Sequence, residues 1–294
     1  MPLDIMLPFY GDFGQFKEAV SSVLAQTDPN WRLVIIDDQY PDPRPGEWAQ
    51  ALDDERITYQ RNEVNLRISG NFNESIRLIA NDHAVILGCD DILLPEYVSR
   101  VSALIAEYPQ AALIQPGVEV IDSSGTVVLP LADRIKAWCR PRGTGTRLLS
   151  GERLATSLLR GNWLYFPSLV WRADVFESRR FRSDLDVVQD LDMIMSIVEA
   201  GESLLVDEKI VFQYRRHEES LSAKRGPDGK KFIEERLVFR ETAERARLLG
   251  WSRTRRAARL RITSRANSLS EVPVAIKLRS GAAVKSLLRH TFGR

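Results

Sequence analysis

Apolar residues in the first 115 positions fall into short runs separated by longer stretches of helical period. "LDIMLPF", "RLVIIDD", "RITYQ" and "HAVILG" have strand length, and "HAVILG" is apolar on both faces, as a central parallel strand is. Between them, "FGQFKEAVSSVLAQT" puts Phe16, Val20, Val23 and Leu24 on one helical face. "SGNFNESIRLIAND" turns Phe72, Ile76 and Ile79 inward, with Ser69 as its N-cap. Strands alternating with helices predict an α/β fold: a mostly parallel central sheet flanked by helices.

The second half has a mixed pattern. "AALIQPGVEVIDSSGTVVLP" reads as strands joined by a turn at Asp122 to Gly125, and a Gly/Arg-containing loop follows near residues 140 to 147. "SLVWR" is a further strand. "DVVQDLDMIMSIVEAG" is a helix burying Leu191, Ile194, Met195 and Val198 and ending at Gly201. "SLLVDEKIVFQYRRH" reads as a closing pair of short strands. From Lys230 the pattern turns helical and basic, after a boundary at Gly226-Pro227-Asp228-Gly229. The expected organisation is a main domain over residues 1–225, divided at 115/116 into two halves, with a helical extension over 226–294.

In an open α/β sheet, ligands bind outside the carboxyl ends of the strands. Three strands end there on polar groups: Pro8-Phe9-Tyr10, Asp37-Asp38 and Asp90-Asp91. Adjacent aspartates suit Mg²⁺ or Mn²⁺, which takes one or two protein carboxylates and completes its shell with substrate phosphates. A plain turn is the alternative for an isolated Asp-Asp pair. Neither a P-loop nor a G-x-G-x-x-G fingerprint is present, so phosphate charge has to be met by a metal and basic side chains.

Composition narrows the classes further. The 294 residues, 44% hydrophobic, suffice for one large core, and no apolar run approaches membrane-spanning length. With "MPLDIML" lacking a basic, hydrophobic leader, the expected location is cytoplasmic. Cys89 and Cys139 have no metal or disulfide spacing. The formal charge of +1 hides an asymmetry, since residues 224–294 carry 19 basic and 6 acidic side chains. That tail could lie on anionic lipid, on nucleic acid or on the acidic body itself, or be simply solvated. Phe232, Leu237, Val238 and Leu248 suggest that part of it packs.

Four segments taken in order resemble the family 2 inverting glycosyltransferases of GT-A fold. They are "LPFYGDFGQFKEAVSSVLAQT" with "LVIIDD", "NLRISGNFNESIRLIANDHAVILGCDDILLPEYV", "VVQDLDMIMSIVEAGESLLVDE" and "YRRHEESLS", together spanning about residues 3 to 222. The resemblance implies transfer of a sugar from a nucleoside diphosphate donor, UDP-sugar favoured, to a hydroxyl of a glycan, lipid-linked or small acceptor. Tyr10 would stack on the base, the Pro8 and Phe9 backbone would line its pocket, and Asp38 would accept from it. Arg67 would touch base or diphosphate. Asp90 would hold the Mn²⁺ or Mg²⁺, supported by Asp91, with His217 approaching the metal or diphosphate. Arg215 and Arg216 would offset leaving-group charge. Asp190 would be the base, with Asp186 and Asp192 as rivals.

The match has one flaw: Gly88 stands where the family usually has the first aspartate of its D-x-D motif. Plain alternatives stay beside these roles. Tyr10 could be a rim aromatic, Arg67 solvated, Arg216 paired with Asp207 or Glu208, and His217 a surface residue. Trp163, Tyr165 and Phe166 could form an acceptor platform or pack in the core. The expected partners are a donor nucleotide and a glycan or lipid-linked acceptor, with no nucleic acid. Peripheral contact with the inner face of a membrane through the basic helices and a homodimer stay open. The competing function is a nucleotide-sugar-binding module without catalysis whose basic tail serves assembly or membrane association.

Overall fold

The computed structural model describes residues 2–216 and 226–293. Among them a nine-stranded sheet is built from β1 (Leu3–Phe9), β2 (Trp31–Asp37), β3 (Ile57–Arg61), β4 (His83–Ile86), β5 (Ile92–Leu93), β6 (Ala111–Ile121), β7 (Arg147–Ser150), β8 (Val170–Arg172) and β9 (Ser203–Arg215). Its order is β3-β2-β1-β4-β8-β6-β9-β5, with β7 on β9. The first four strands in that order are parallel, and β8 then runs antiparallel to both β4 and β6.

The parallel half follows the alternation in the sequence. β1 sends Ile5, Leu7 and Phe9 to one face, where α1 (Phe13–Leu24) and α4 (Tyr97–Glu107) cover them, and Met6 to the other. That second face is covered by α3 (Arg67–Arg77), α6 (Gly151–Arg160) and α7 (Gln189–Glu199). Asp12 caps α1 by accepting from the Gln15 amide at 2.9 Å, and Phe16, Val20 and Val23 are buried, each stabilising the fold by about 2 kcal/mol. Leu24, expected on that face, is exposed at the last helical position.

Three expectations need correction. Ser69 does not cap α3: the helix starts at Arg67, and the Ser69 hydroxyl donates to the Leu185 carbonyl at 2.8 Å from inside the helix. "SLLVDEKIVFQYR" is one long strand, β9, because β6 lies beside it along most of its length, with register shifts that absorb Pro116 and Gly117. Residues 131–139, passed over in the sequence, form α5 (Leu131–Cys139). Gly201 ends α7 at φ +96°, a left-handed conformation that favours glycine.

The C-terminal helices are α8 (Lys230–Leu248), α9 (Ser252–Leu260), α10 (Ile262–Lys277) and α11 (Gly281–Phe292). Phe239 and Ala243 of α8 and Ala258 of α9 join the main core, while Leu248 stays exposed. Arg245 pairs with Glu199 of α7, and Glu241 with Arg182, so part of the tail's charge meets the body. No described helix is long and apolar enough to cross a membrane.

Asp4, fully buried on β1, fastens this layer to the loop after α3. It accepts two bonds from Arg32, at 2.8 and 3.1 Å, and others from the Ala80 and Asn81 amides. Burial pushes its pKa up, but Arg32 and these amides outweigh that and hold it below the ordinary value. The stability it supplies is therefore present above the unfolded-state value and is lost as pH falls through the depressed folded one. Asp4→Asn is expected to cost about 2 kcal/mol in neutral urea titrations, since Arg32 keeps some solvent contact. The gap from wild type should close in acid, and a gap independent of pH would contradict this account.

Candidate functional site

The parallel pairing brings the ends of β1, β2 and β4 to one edge, as Phe9 sits opposite Asp37 and Met6 opposite Ile86. Tyr10, just past β1, is 53% exposed and forms a T-shaped pair with Tyr40, ring centres 5.3 Å apart. Phe9 is buried against Phe16 and Tyr40, so only its backbone reaches the edge, and its carbonyl accepts from the Asp38 amide. Pro8 is half-buried beside it. Asp38 is buried, with one carboxylate oxygen taking the Leu66 amide at 2.7 Å and the Asn62 side chain at 2.9 Å. These bonds draw the start of α3 to the edge and place exposed Arg67, at φ +60°, one residue beyond Leu66.

The turn after β4 carries the paired aspartates. Asp90 is half-buried and Asp91 fully buried. One Asp91 oxygen accepts from the Arg215 amide at 2.8 Å, and the other has no hydrogen-bond partner among the described residues. Burial first, then the neighbouring Asp90 charge, push the Asp91 carboxyl well above the usual range. A β-carbon on Gly88 would overlap that second Asp91 oxygen and come within 3.0 Å of Asp90 Oδ1. The aspartates therefore occupy the space that a side chain at position 88 needs.

Arg215 was expected near the leaving group, but its guanidinium is turned into the protein. It is 3% exposed and donates to the Asp90 carbonyl at 2.7 Å and to the Ser123 carbonyl, while pairing with Glu18. Arg216 pairs with neither Asp207 nor Glu208: Arg100 takes Asp207, and Arg216 donates to Asp133 of α5 at 2.8 Å. His217 lies outside the described residues.

Asp190 sits in the first turn of α7, half-buried, accepting from the Leu191 amide at 2.7 Å and from Asn162 at 3.2 Å. Burial raises its pKa, and the Leu191 amide, Lys136 and Asn162 only partly reverse this. A second helix fixes that turn from outside, for Glu234 of α8 accepts from the Asp186 and Val187 amides at 3.0 and 2.8 Å. Asp192 faces Arg245 and Arg182 instead, at 3.5 and 3.8 Å.

A cluster of polar and aromatic side chains gathers around Tyr165 and Tyr214, whose rings lie 5.2 Å apart, with the Arg216 guanidinium 5.7 Å from the Tyr214 ring centre. The charges of Asp91 and Asp90 also act on the Tyr214 phenol. Asp133 accepts from Tyr165 at 2.9 Å, and Lys136 lies 4.2 Å from the Tyr165 ring centre. Burial lowers the Lys136 pKa to about 8, helped by Arg216 and opposed by Asp133 and Asp190. Trp163 and Phe166 are core residues, with the Trp163 indole bonded to Ser157, so the aromatic platform reduces to Tyr165. Asp133, Lys136 and Asn162 escaped sequence reasoning. In "LADRIKAWC" the i, i+3 spacing of Asp133 and Lys136 looks like a solvated helix face.

The Glycosyl transferase family 2 model matches residues 4–171, more than half of the chain. The chain belongs to that family. Asp190 and Arg216 lie beyond the matched stretch. WcaA of Escherichia coli (strain K12), provisionally assigned as a colanic acid biosynthesis glycosyl transferase, is 27% identical over 225 residues, 74% of each protein. The uncharacterized protein y4gI of Sinorhizobium fredii (strain NBRC 101917 / NGR234) is 26% identical over 72% of this chain, a match spanning only 22% of that relative's length. Among solved structures, S. aureus TarS 1-349 in complex with UDP-GlcNAc superposes with a TM-score of 0.68 at 16% identity, covering 99% of this chain and 82% of TarS. The fold is GT-A: a central sheet flanked by helices, with a helical C-terminal region.

The crowding at Gly88 yields a prediction for the family-like substitution. Gly88→Asp should displace the Asp91 carboxyl, lower the melting temperature and weaken nucleotide binding. Tighter nucleotide binding by this variant in calorimetry would show that the aspartates can make room.

Proposed function

We propose that this family 2 protein is a metal-dependent, inverting glycosyltransferase that moves a sugar from a UDP-type donor to a hydroxyl of a glycan or lipid-linked acceptor. The carrying observation is a pair of acidic stations, each within electrostatic reach of one polar cluster around Tyr165. Asp90 and Asp91 stand at the strand edge, and Asp190, its pKa raised by burial, stands at the head of α7. The UDP-GlcNAc complex of TarS supports a uridine diphosphate donor, and the WcaA assignment supports a role in polysaccharide synthesis.

The residues present fit a hard divalent cation. Asp91 has a buried carboxylate oxygen without a partner among the described residues, next to Asp90, whose charge is unfavourable to it. A cation held by two carboxylates would complete its shell with donor phosphates and water. Asp90 and Asp91 would hold the Mg²⁺ or Mn²⁺, with His217 as a further candidate; when bound, the ion supplies positive charge to the diphosphate.

The exposed Tyr10 side chain would stack on the base, with Pro8, the Phe9 backbone, Asp38 and Arg67 around it. Asp190 takes the acceptor hydroxyl's proton. The freed oxygen attacks the anomeric carbon opposite the diphosphate, which leaves with the electrons of the broken C–O bond, giving inversion. The upward shift brings Asp190 nearer the acceptor's proton affinity, as an effective base requires. Arg216, held by Asp133, supplies fixed positive charge beside this path.

Asp190→Asn is expected to keep donor affinity while turnover falls by about 10²–10⁴. In the wild type, the acid limb of kcat/KM should lie above the ordinary carboxylate value, because the base must be deprotonated. Unchanged turnover in Asp190→Asn would remove this residue as the base. Asp90→Ala should abolish the thermal stabilisation that UDP gives only with Mn²⁺. The crowded Gly88 position motivates the competing reading, a donor-binding module without catalysis. Metal-dependent UDP binding with no transfer or donor hydrolysis above background, in wild type and Asp90→Ala alike, would favour it.

A further inference from the structure

The helix α5 has two working faces. Asp133 and Lys136 point to Tyr165, whereas Leu131, Ile135 and Trp138, at i, i+4 and i+7, share the opposite side. Those three are 69%, 45% and 78% exposed. Trp138 also lines a groove of about 550 Å³ between α6, α9 and the start of α10, floored by Leu159, Ala257, Leu260 and Ile262. Ile262 is itself 70% exposed. Soluble domains seldom leave large aliphatic and indole groups together in water unless the patch is a contact surface.

The rim of this groove is basic. Arg160, Arg253 and Arg256 line it, and Arg259 adjoins it on α9. All four are exposed. The ion pairs of the C-terminal helices among the described residues use Lys230, Lys231, Arg245 and Arg247 instead. The carboxylate bonded at the start of α9, Glu152, is taken by the Arg253 and Thr254 amides, so the patch keeps a net positive charge. The α9 sequence, "SRTRRAARL", contains no acidic residue.

We propose that this face, formed by α5, α9 and the start of α10, seats the protein on an anionic phospholipid bilayer. Apolar side chains and an indole suit the boundary of the acyl chains, and arginines at the same level suit lipid phosphates. A second copy is a poorer occupant, because a two-fold contact would press the four arginines against the same four. A nucleic acid would leave the aliphatic floor unused, since its affinity rests on phosphate contacts. The seat lies on the other side of the helix that presents Lys136 toward Asp190. Membrane docking would thereby hold the candidate site next to acceptors displayed at the bilayer surface.

The test is co-sedimentation of the full chain with phosphatidylcholine vesicles, with and without phosphatidylglycerol, in the absence of nucleotide sugar, so that the outcome is independent of the proposed transfer reaction. Binding is expected only with phosphatidylglycerol and should fall steeply with salt. Arg253→Gln with Arg256→Gln should weaken it about thirtyfold. Trp138→Ser with Ile262→Ser should weaken it as well at low salt. A control with the same charge change at exposed Lys277 and Lys285 should cost only a few-fold. All these positions are on the surface, and unchanged melting temperatures would confirm folded variants. Absent or salt-insensitive vesicle binding, or equal losses from the control pair, would overturn the proposal. Duplex DNA binding or dimerisation, abolished by the arginine pair without any vesicle binding, would also overturn it and name the other occupant.

Discussion

Arg215 is the constraint on which the site rests. Its guanidinium is buried at the end of β9, where an unpaired charge would be costly, so every neighbour able to accept from it is drawn in. The Asp90 carbonyl, the Ser123 carbonyl and the Glu18 carboxylate converge on it, while its amide holds Asp91. One residue thus ties together the turn after β4, the first helix and the turn after β6. The paired aspartates stay side by side despite their mutual repulsion because this knot leaves them nowhere to relax.

The other half of the site depends on a helix from the C-terminal extension. Glu234 reaches from α8 to the Asp186 and Val187 amides just ahead of α7, and Val238 packs on Leu185 and Val188 beside them. Arg245 and Glu241 add ion pairs to Glu199 and Arg182. The extension is therefore part of what positions Asp190, and its helix α9 carries four arginines and no acidic residue.

Much of this was legible from local pattern. The parallel strands, α1 and α7 could be read from periodicity because their faces are buried one residue at a time, as at Ile5, Met6 and Leu7. The edge carrying Tyr10, Asp38 and Asp90 followed from strand order. The errors came from places where distant partners decide. Ser69 looks like a cap until Leu185 is placed beside it, and β9 reads as two strands until β6 lies along it. Arg215 and Arg216 are neighbours of one type, yet one is a structural anchor and the other faces Asp133.

The sequence by itself determined the α/β class, the edge where ligands would bind, the family, and the departure at Gly88, because each depends on residue type at short range. Only the tertiary structure decided what fills the space beside Gly88, which arginine serves the site, and that Asp133 and Lys136 belong to it. It also turned Trp138 outward beside the arginines of α9, with Leu131 and Ile135 exposed on the same side of α5. The reason is physical: a side chain's charge state, partners and exposure are set by groups remote in sequence, and local pattern carries no record of which groups those are.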